Sequence, residues 1–283
     1  MTSPRPLPVL RPQFIPGTAG RLFVNHFSPA EPDPKRHAVL LIPPFADEMN
    51  KSRRMFSMLA RSLASQGMDC CLIDLYGTGD SEGNFADADW DIWCRDVQIA
   101  HSWLVQQGIM NISLLGMRTG ALLASDVAQR RMFTLDKLVF WQPVVDGETF
   151  LNQFLRLRLA ADMLNTKSKK STSESLRQSL MRGECVEVAG YMLPPALAQE
   201  LASKKLVEMD VSHLGQISWF DVSSHEGASL SQSSQTVVER WQSLGVKVKP
   251  SVVTGSSFWM TAEITEVPGL IVASTECLLG VGG

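Results

Sequence analysis

Short, continuously apolar runs alternate with amphipathic stretches along most of the chain. Residues 38–42 read AVLLI, residues 68–75 MDCCLIDL, residues 112–115 ISLL and residues 138–141 LVFW. Runs this brief, without polar alternation, suit strands buried on both faces. Helical spacings lie between them. Met55, Phe56, Leu59 and Leu63 share one face, ending near Gly67. Trp90, Trp93, Cys94, Val97, Ala100 and Leu104 share another, closed by Gly108. Asp87, Asp89 and Asp91 open that second helix, where acids suit the positive end of its dipole. A third helix opens at Gly120, directly after the third apolar run. Late in the chain, residues 217–222 and 246–253 read as strands and residues 231–244 as the helix between them, packed through Val237, Val238 and Trp241. Residues 21–27 are an expected edge strand behind a Pro-rich arm, and residues 263–277 fit strand or helix equally. Strand alternating with helix predicts a mainly parallel sheet covered on both faces.

The alternation stops over residues 150–207. That stretch is mostly helical in pattern, contains the polar run TKSKKSTSES at 166–175, and returns through Pro194-Pro195, a helix start. It is expected to be a helical lid inserted over one end of the sheet, with 166–175 as an exposed loop. The whole chain, residues 1–283, is then one domain.

Composition narrows the class. At 283 residues, 45% hydrophobic and 19% charged, the chain can bury a large core. Its net charge of -3, without marked asymmetry, argues against nucleic acid as a partner. No apolar run approaches the roughly 20 residues of a transmembrane helix, and the N-terminus lacks the apolar core of a signal peptide. Cys70, Cys71, Cys94, Cys185 and Cys277 form no CxxC pair and read as buried free thiols. A cytoplasmic protein without metal or cofactor is expected.

In open parallel sheets, sites form beyond the carboxyl ends of strands. Three such ends carry chemistry: LIPPFADEMNKSRR, DLYGTGDS and LLGMRTGALLA. The last has the layout of the G-x-S-x-G nucleophile elbow of the α/β-hydrolase fold, with Gly116 and Gly120 as its small residues. At its centre stands Arg118. A guanidinium stays protonated and is no nucleophile. The stretch after the last strand, VVTGSSFWMTAEI, contains no histidine to act as base. His225 falls where an acid would be expected, and His101 lies within a helix. Asp146 follows a strand end at the lid's hinge and suits a hinge or cap role. Asp74, Asp80 and Ser81 suit the glycine turn they occupy. Lys51, Arg53 and Arg54, taken to begin the first helix, are either a solvated charged turn or an anion site.

Several motifs together resemble one family. PPFADEMNKSRRM, DLYGTGDS, the WDIW helix, GMRTGALLA, WQPVVDGETFLNQFLRLRLA, VAGYMLPPALA and GSSFW are similar to the exosortase A system-associated hydrolases of the second type, within the α/β-hydrolase superfamily. The resemblance runs from about Phe23 to the C-terminus. It implies an α/β-hydrolase fold, a setting in exopolysaccharide and protein-sorting systems, and an elbow arginine that is a family trait. The word hydrolase comes with the family by homology.

An arginine under a lid needs an anionic partner, because an unpaired buried charge costs several kcal/mol. Asp47 and Glu48 are nearest by topology, with Asp80 and Glu263 as alternatives. Arg118 is then either a strut tying that loop to the elbow or the receptor for a carboxylate, phosphate or acidic sugar. The expected ligand site is Arg118, Phe45, Met117, Ser256 and Ser257. Two functions stay open. One is a catalytically degenerate hydrolase-fold protein that binds a small anionic ligand, or a protein partner in exopolysaccharide assembly. The other is an atypical hydrolase of ester or acyl groups on polysaccharide intermediates, with Arg118 stabilising an oxyanion and Asp47 or Glu48 as base.

Overall fold

The computed structural model describes residues 7–164 and 172–280. In chain order its strands are β1 (Val9–Ile15), β2 (Leu22–Ser28), β3 (His37–Ile42), β4 (Asp69–Ile73), β5 (Asn111–Met117), β6 (Leu138–Trp141), β7 (Val186–Val188), β8 (Tyr191–Leu193), β9 (Gln216–Ser223) and β10 (Lys247–Thr254). The helices are α1 (Ala46–Ala64), α2 (Trp90–Gln106), α3 (Thr119–Gln129), α4 (Gly147–Leu164), α5 (Ser173–Met181), α6 (Pro195–Ser203), α7 (Gln232–Ser243) and α8 (Pro268–Leu279). Eight strands form one sheet in the order β1-β2-β4-β3-β5-β6-β9-β10. β2 is antiparallel to both its neighbours, and the other pairings are parallel. This is an α/β-hydrolase fold.

Strand alternation sorts the core into two layers. Leu40, Ile42, Leu114 and Phe140 face one way, against α2 and α3. Val39, Leu41, Leu115, Met117, Val139 and Trp141 face the other, against α1 and α8. With both faces covered, each buried Leu, Ile or Val contributes about 1.5–3 kcal/mol from burial, which is why these strands carry no polar face.

Four expectations are corrected. Residues 21–27, expected as an edge strand, form β2 inside the sheet, because β1 forms within the Pro-rich arm and takes the edge. Pro12 is tolerated there since an edge strand need not donate on its outer side. The first helix begins at Ala46, so Lys51 falls in its second turn and Arg53 and Arg54 beyond it. Asp47 and Glu48 occupy the first turn, where the dipole favours them. The ambiguous tail is α8, with Pro268 at its start and Gly280 (φ 73°) ending it in the left-handed region. Finally, the segment between β6 and β9 holds more than helices. β7 and β8 form a hairpin whose two turn residues, Ala189 and Gly190, have φ of 50° and 85°, as a type I′ turn requires.

The run at 166–175 lies outside the described residues as far as Ser171. The rest enters α5, where Thr172 caps the helix and accepts from the Ser175 N–H. At the other end of the segment, Asp146 accepts the Thr149 N–H at 2.7 Å, capping α4.

Candidate ligand site at the elbow

Three neighbouring strands, β3, β5 and β6, each run into a non-glycine residue with positive φ: Ala46 (56°), Arg118 (53°) and Gln142 (41°). Such conformations cost of order 1–3 kcal/mol each and persist where surroundings over-determine them. At Arg118 the determinants are visible. Its N–H donates to the Trp141 carbonyl at 3.1 Å, and its own carbonyl accepts from the Ala121 and Val144 N–H groups, both at 3.1 Å. The flanking glycines are required as well. A Cβ on Gly116 would lie 2.5 Å from the Gly120 oxygen, and one on Gly120 would collide with the Ile42 carbonyl. The G-x-R-x-G turn is therefore a nucleophile elbow in geometry, with φ 53° and ψ -120° at its centre.

The side chain at that centre is engaged. Arg118 Nε donates to Glu48 Oε1 and Oε2 at 3.2 and 3.3 Å, Nη2 to Oε1 at 3.1 Å, and Nη1 to the Gln142 carbonyl at 3.4 Å. The two side chains are 14% and 19% exposed, so the pair is largely but not wholly dehydrated. Burial pushes the Glu48 carboxyl above its ordinary range, and the attraction of Arg118 only partly offsets this. Asp47 turns to Lys51 instead, at 2.7 Å. Asp80 lies in the turn after β4, its N–H on Asp74, and Arg53 pairs with that same Asp74 at 2.9 Å.

Aromatic rings enclose the pair. The Arg118 guanidinium carbon lies 5.5 Å from the Trp259 ring centre and 5.8 Å from that of Phe150, within cation–π range. Phe45 packs on Phe85, Trp93, Phe150 and Phe154, with ring centres 5.4–5.8 Å away. Two cavities meet here. One, about 190 Å³, is lined by Phe45, Phe154, Leu157, Trp259 and Met260, with Glu48 and Lys51. The other, about 350 Å³, is lined by Gln142, Asp146, Thr149, Ser231 and Ser233. Arg118, Phe150 and Gln153 border both.

Of the expected ligand residues, Arg118 and Phe45 line this space. Met117 does not, because strand alternation turns it into the layer under α1 and α8. Ser256 and Ser257 line neither cavity, and the Ser256 hydroxyl donates to Thr265 at 3.1 Å. The same loop contributes Trp259 and Met260 instead. Trp259 is 4% exposed, and its indole N–H has no partner among the described residues. The residues sequence reasoning missed are Phe150, Phe154, Leu157 and Trp259. The i, i+4, i+7 spacing of the first three was legible as one face of a helix. Trp259 carried no signal beyond its place in the loop where a base is expected.

His225 is exposed beside Ser224, while His101 is buried and stacked on Phe133, where burial lowers its pKa. Among the described residues no His/Cys/Asp/Glu cluster could hold a metal ion, and no helix is long and apolar enough to cross a membrane. The site thus offers a fixed cation, a buried acid and apolar walls. The elbow position carries no nucleophile.

Residues 33–206 match the family described as serine aminopeptidase, S33. The fold is similar to that of Est1E from Butyrivibrio proteoclasticus with bound ferulic acid, at 14% identity and TM-score 0.67, covering 95% of this chain and 98% of that one. It is similar to alpha/beta hydrolase domain-containing protein 10 from mouse at 16% identity and TM-score 0.62, covering 96% and 100%. A putative hydrolase from Agrobacterium vitis gives 14% and 0.60, covering 97% and 98%. No curated protein matches the sequence.

Proposed function

The chain belongs to the serine aminopeptidase S33 family, and from that membership we propose that it has given up serine hydrolysis and binds a small anionic ligand at Arg118. The observation that carries this is the guanidinium at the centre of an intact elbow. The backbone that normally presents a nucleophile is retained, strain included, and presents a permanent cation. The ion pair with Glu48 does not use it up. Guanidinium has five N–H donors. Glu48 takes one from Nε and one from Nη2, and the Gln142 carbonyl takes one from Nη1. Two remain for a ligand. The strut and the receptor are therefore one device, in which Glu48 fixes the guanidinium plane while its spare edge faces the cavities.

The β6–β9 segment serves as the lid of this site, since α4 supplies Phe150, Gln153, Phe154 and Leu157 to it. The resemblance to the exosortase-associated proteins supports a cytoplasmic role in exopolysaccharide or envelope assembly, with a protein partner as a further occupant. A second reading has one observation in its favour. Glu48 is a buried acid with a raised pKa beside a cation, the arrangement a general base and an oxyanion stabiliser require. It would make the protein an atypical esterase acting through water.

One experiment separates the two. The purified protein is assayed with nitrophenyl esters and with a serine-directed phosphonate, alongside a thermal-shift screen of acidic sugars, acyl carriers and nucleotide sugars. Binding reads out as stabilisation by an anion that Arg118→Met abolishes, without turnover above background. Turnover lost on Glu48→Gln would establish the esterase instead, and covalent capture by the phosphonate would sink both.

A further inference from the structure

The two cavities at the elbow differ in chemistry, and Arg118 is the charged residue that borders both among the described residues. The smaller has apolar walls from Phe45, Phe154, Leu157, Trp259 and Met260. The larger combines the Thr149 and Ser233 hydroxyls, the Gln142 amide and the Asp146 carboxylate with Pro143, Val144 and Val145, while the Ser231 hydroxyl is engaged by Ser234. Gln142 Oε1 is taken by the Val222 N–H at 2.6 Å, whereas its amide nitrogen has no partner among the described residues. Hydroxyls and amides of this kind match a hydroxylated group, and Asp146 disfavours a second negative charge beside it. Arg118 borders both spaces and has two N–H donors without a partner among the described residues.

A ligand that fills both spaces must therefore leave its anionic group on two sides. A carboxylate does so only where the carbon that bears it is branched, because the group itself has a single substituent. A phosphodiester does so by itself, keeps a single negative charge at any physiological pH, and presents two oxygens to the fork of a guanidinium.

We propose that the ligand is an amphiphilic phosphodiester, with its apolar chain among Phe45, Phe154 and Leu157, its phosphate at Arg118, and a neutral hydroxylated head over Thr149 and Ser233. The proposal rests on the reading of Arg118 as an anion receptor and adds the identity of both substituents.

The test uses the full chain and four probes, each below its micelle concentration, titrated calorimetrically. They are the octyl diester of glycerol phosphate, octyl phosphate (no head), glycerol 3-phosphate (no tail) and octylglycerol (no charge). Joined parts gain from one another, so the diester is expected to bind roughly tenfold or more tighter than each of the other three. Leu157→Asn, which removes apolar wall without adding charge, should weaken the two octyl phosphates and leave glycerol 3-phosphate unchanged. Thr149→Val with Ser233→Ala should weaken the diester and leave octyl phosphate unchanged. If octyl phosphate equals the diester, the head compartment is not a binding site; this proposal fails, while the anion receptor stands. If octylglycerol equals the diester, the receptor fails with it. Failure of all four to bind up to their solubility limits also overturns the proposal. These comparisons are made on the unmodified protein, so they hold even if Arg118→Met does not fold.

Discussion

Two buried ion pairs sit at opposite ends of the same sheet and are built differently. At the amino end, Asp69 opens β4 with its side chain fully buried. It accepts from His26 Nε2 at 2.8 Å, Ser28 Oγ at 3.5 Å and Arg36 Nη2 at 3.1 Å, so both oxygens are used. At the carboxyl end, Arg118 and Glu48 are partly exposed, border two cavities and leave donors unused. Both are charges a fold must neutralise. The first uses both carboxylate oxygens and borders neither cavity, so it reads as structure, although Arg36 itself has φ 45° and its Nε has no partner among the described residues. The second spends backbone strain at three strand ends and stays open, which is the character of a site.

The largest expected effect is at the closed cluster. Asp69→Ala should cost about 3–5 kcal/mol of stability, because it strands buried donors. Chemical denaturation measures it, and a loss under about 1 kcal/mol would erase the contrast between the two ends.

A third buried acid sharpens it. Asp96 accepts the Tyr76 N–H at 2.8 Å, but its other oxygen has no partner among the described residues, and burial pushes its pKa up to about 7. A carboxyl whose folded pKa is raised stabilises the fold when protonated. That contribution is present below its ordinary pKa and is lost as pH rises through about 7. Relative to Asp96→Asn, the protein should therefore lose stability, on the order of a few kcal/mol, between roughly pH 4 and 7. Parallel pH profiles for the two proteins would refute it. Glu48 has the same sign, since burial raises its pKa as well. Arg118→Met removes the attraction that holds its pKa down, so the loss should extend to higher pH.

The open pair itself should couple more weakly than Asp69. A double-mutant cycle of Arg118→Met with Glu48→Gln is expected to give about 1–3 kcal/mol, since water reaches the pair and Glu48 can neutralise by taking up a proton. The same cycle with Asp47→Asn should give near zero, as Asp47 pairs with Lys51. Coupling through Asp47 and none through Glu48 would invert the site. The smallest effect is at the late loop. Ser256→Ala should change stability by less than about 0.5 kcal/mol and leave ligand binding untouched, and a lost ligand would show the site was drawn too small.

The fold was largely legible because its signals are local. The apolar run at 138–141 coincides with β6, and the other parallel strands match their runs within two residues at each end. Continuous apolar runs of that length have few alternatives. β1 was hidden because Pro8, Pro12 and Pro16 fall within or beside it and break up its apolar residues.

The sequence by itself determined that an elbow exists, that arginine stands in it, and that no histidine follows the last strand. Those follow from residue identity and spacing alone: only glycine avoids the collisions at 116 and 120, and only a protonated side chain is available at 118. It also narrowed the partner to two neighbouring acids, Asp47 and Glu48. The tertiary structure decided between them. The helix that begins at Ala46, not near Lys51, rotates Glu48 toward the elbow and Asp47 toward Lys51. It likewise turned Met117 into the core, left Ser256 on Thr265 and brought Trp259 and Phe150 over the guanidinium. Which side chains from distant segments meet is set by strand order, helix phase and loop path, and none of these is carried by a local pattern of apolar and polar residues.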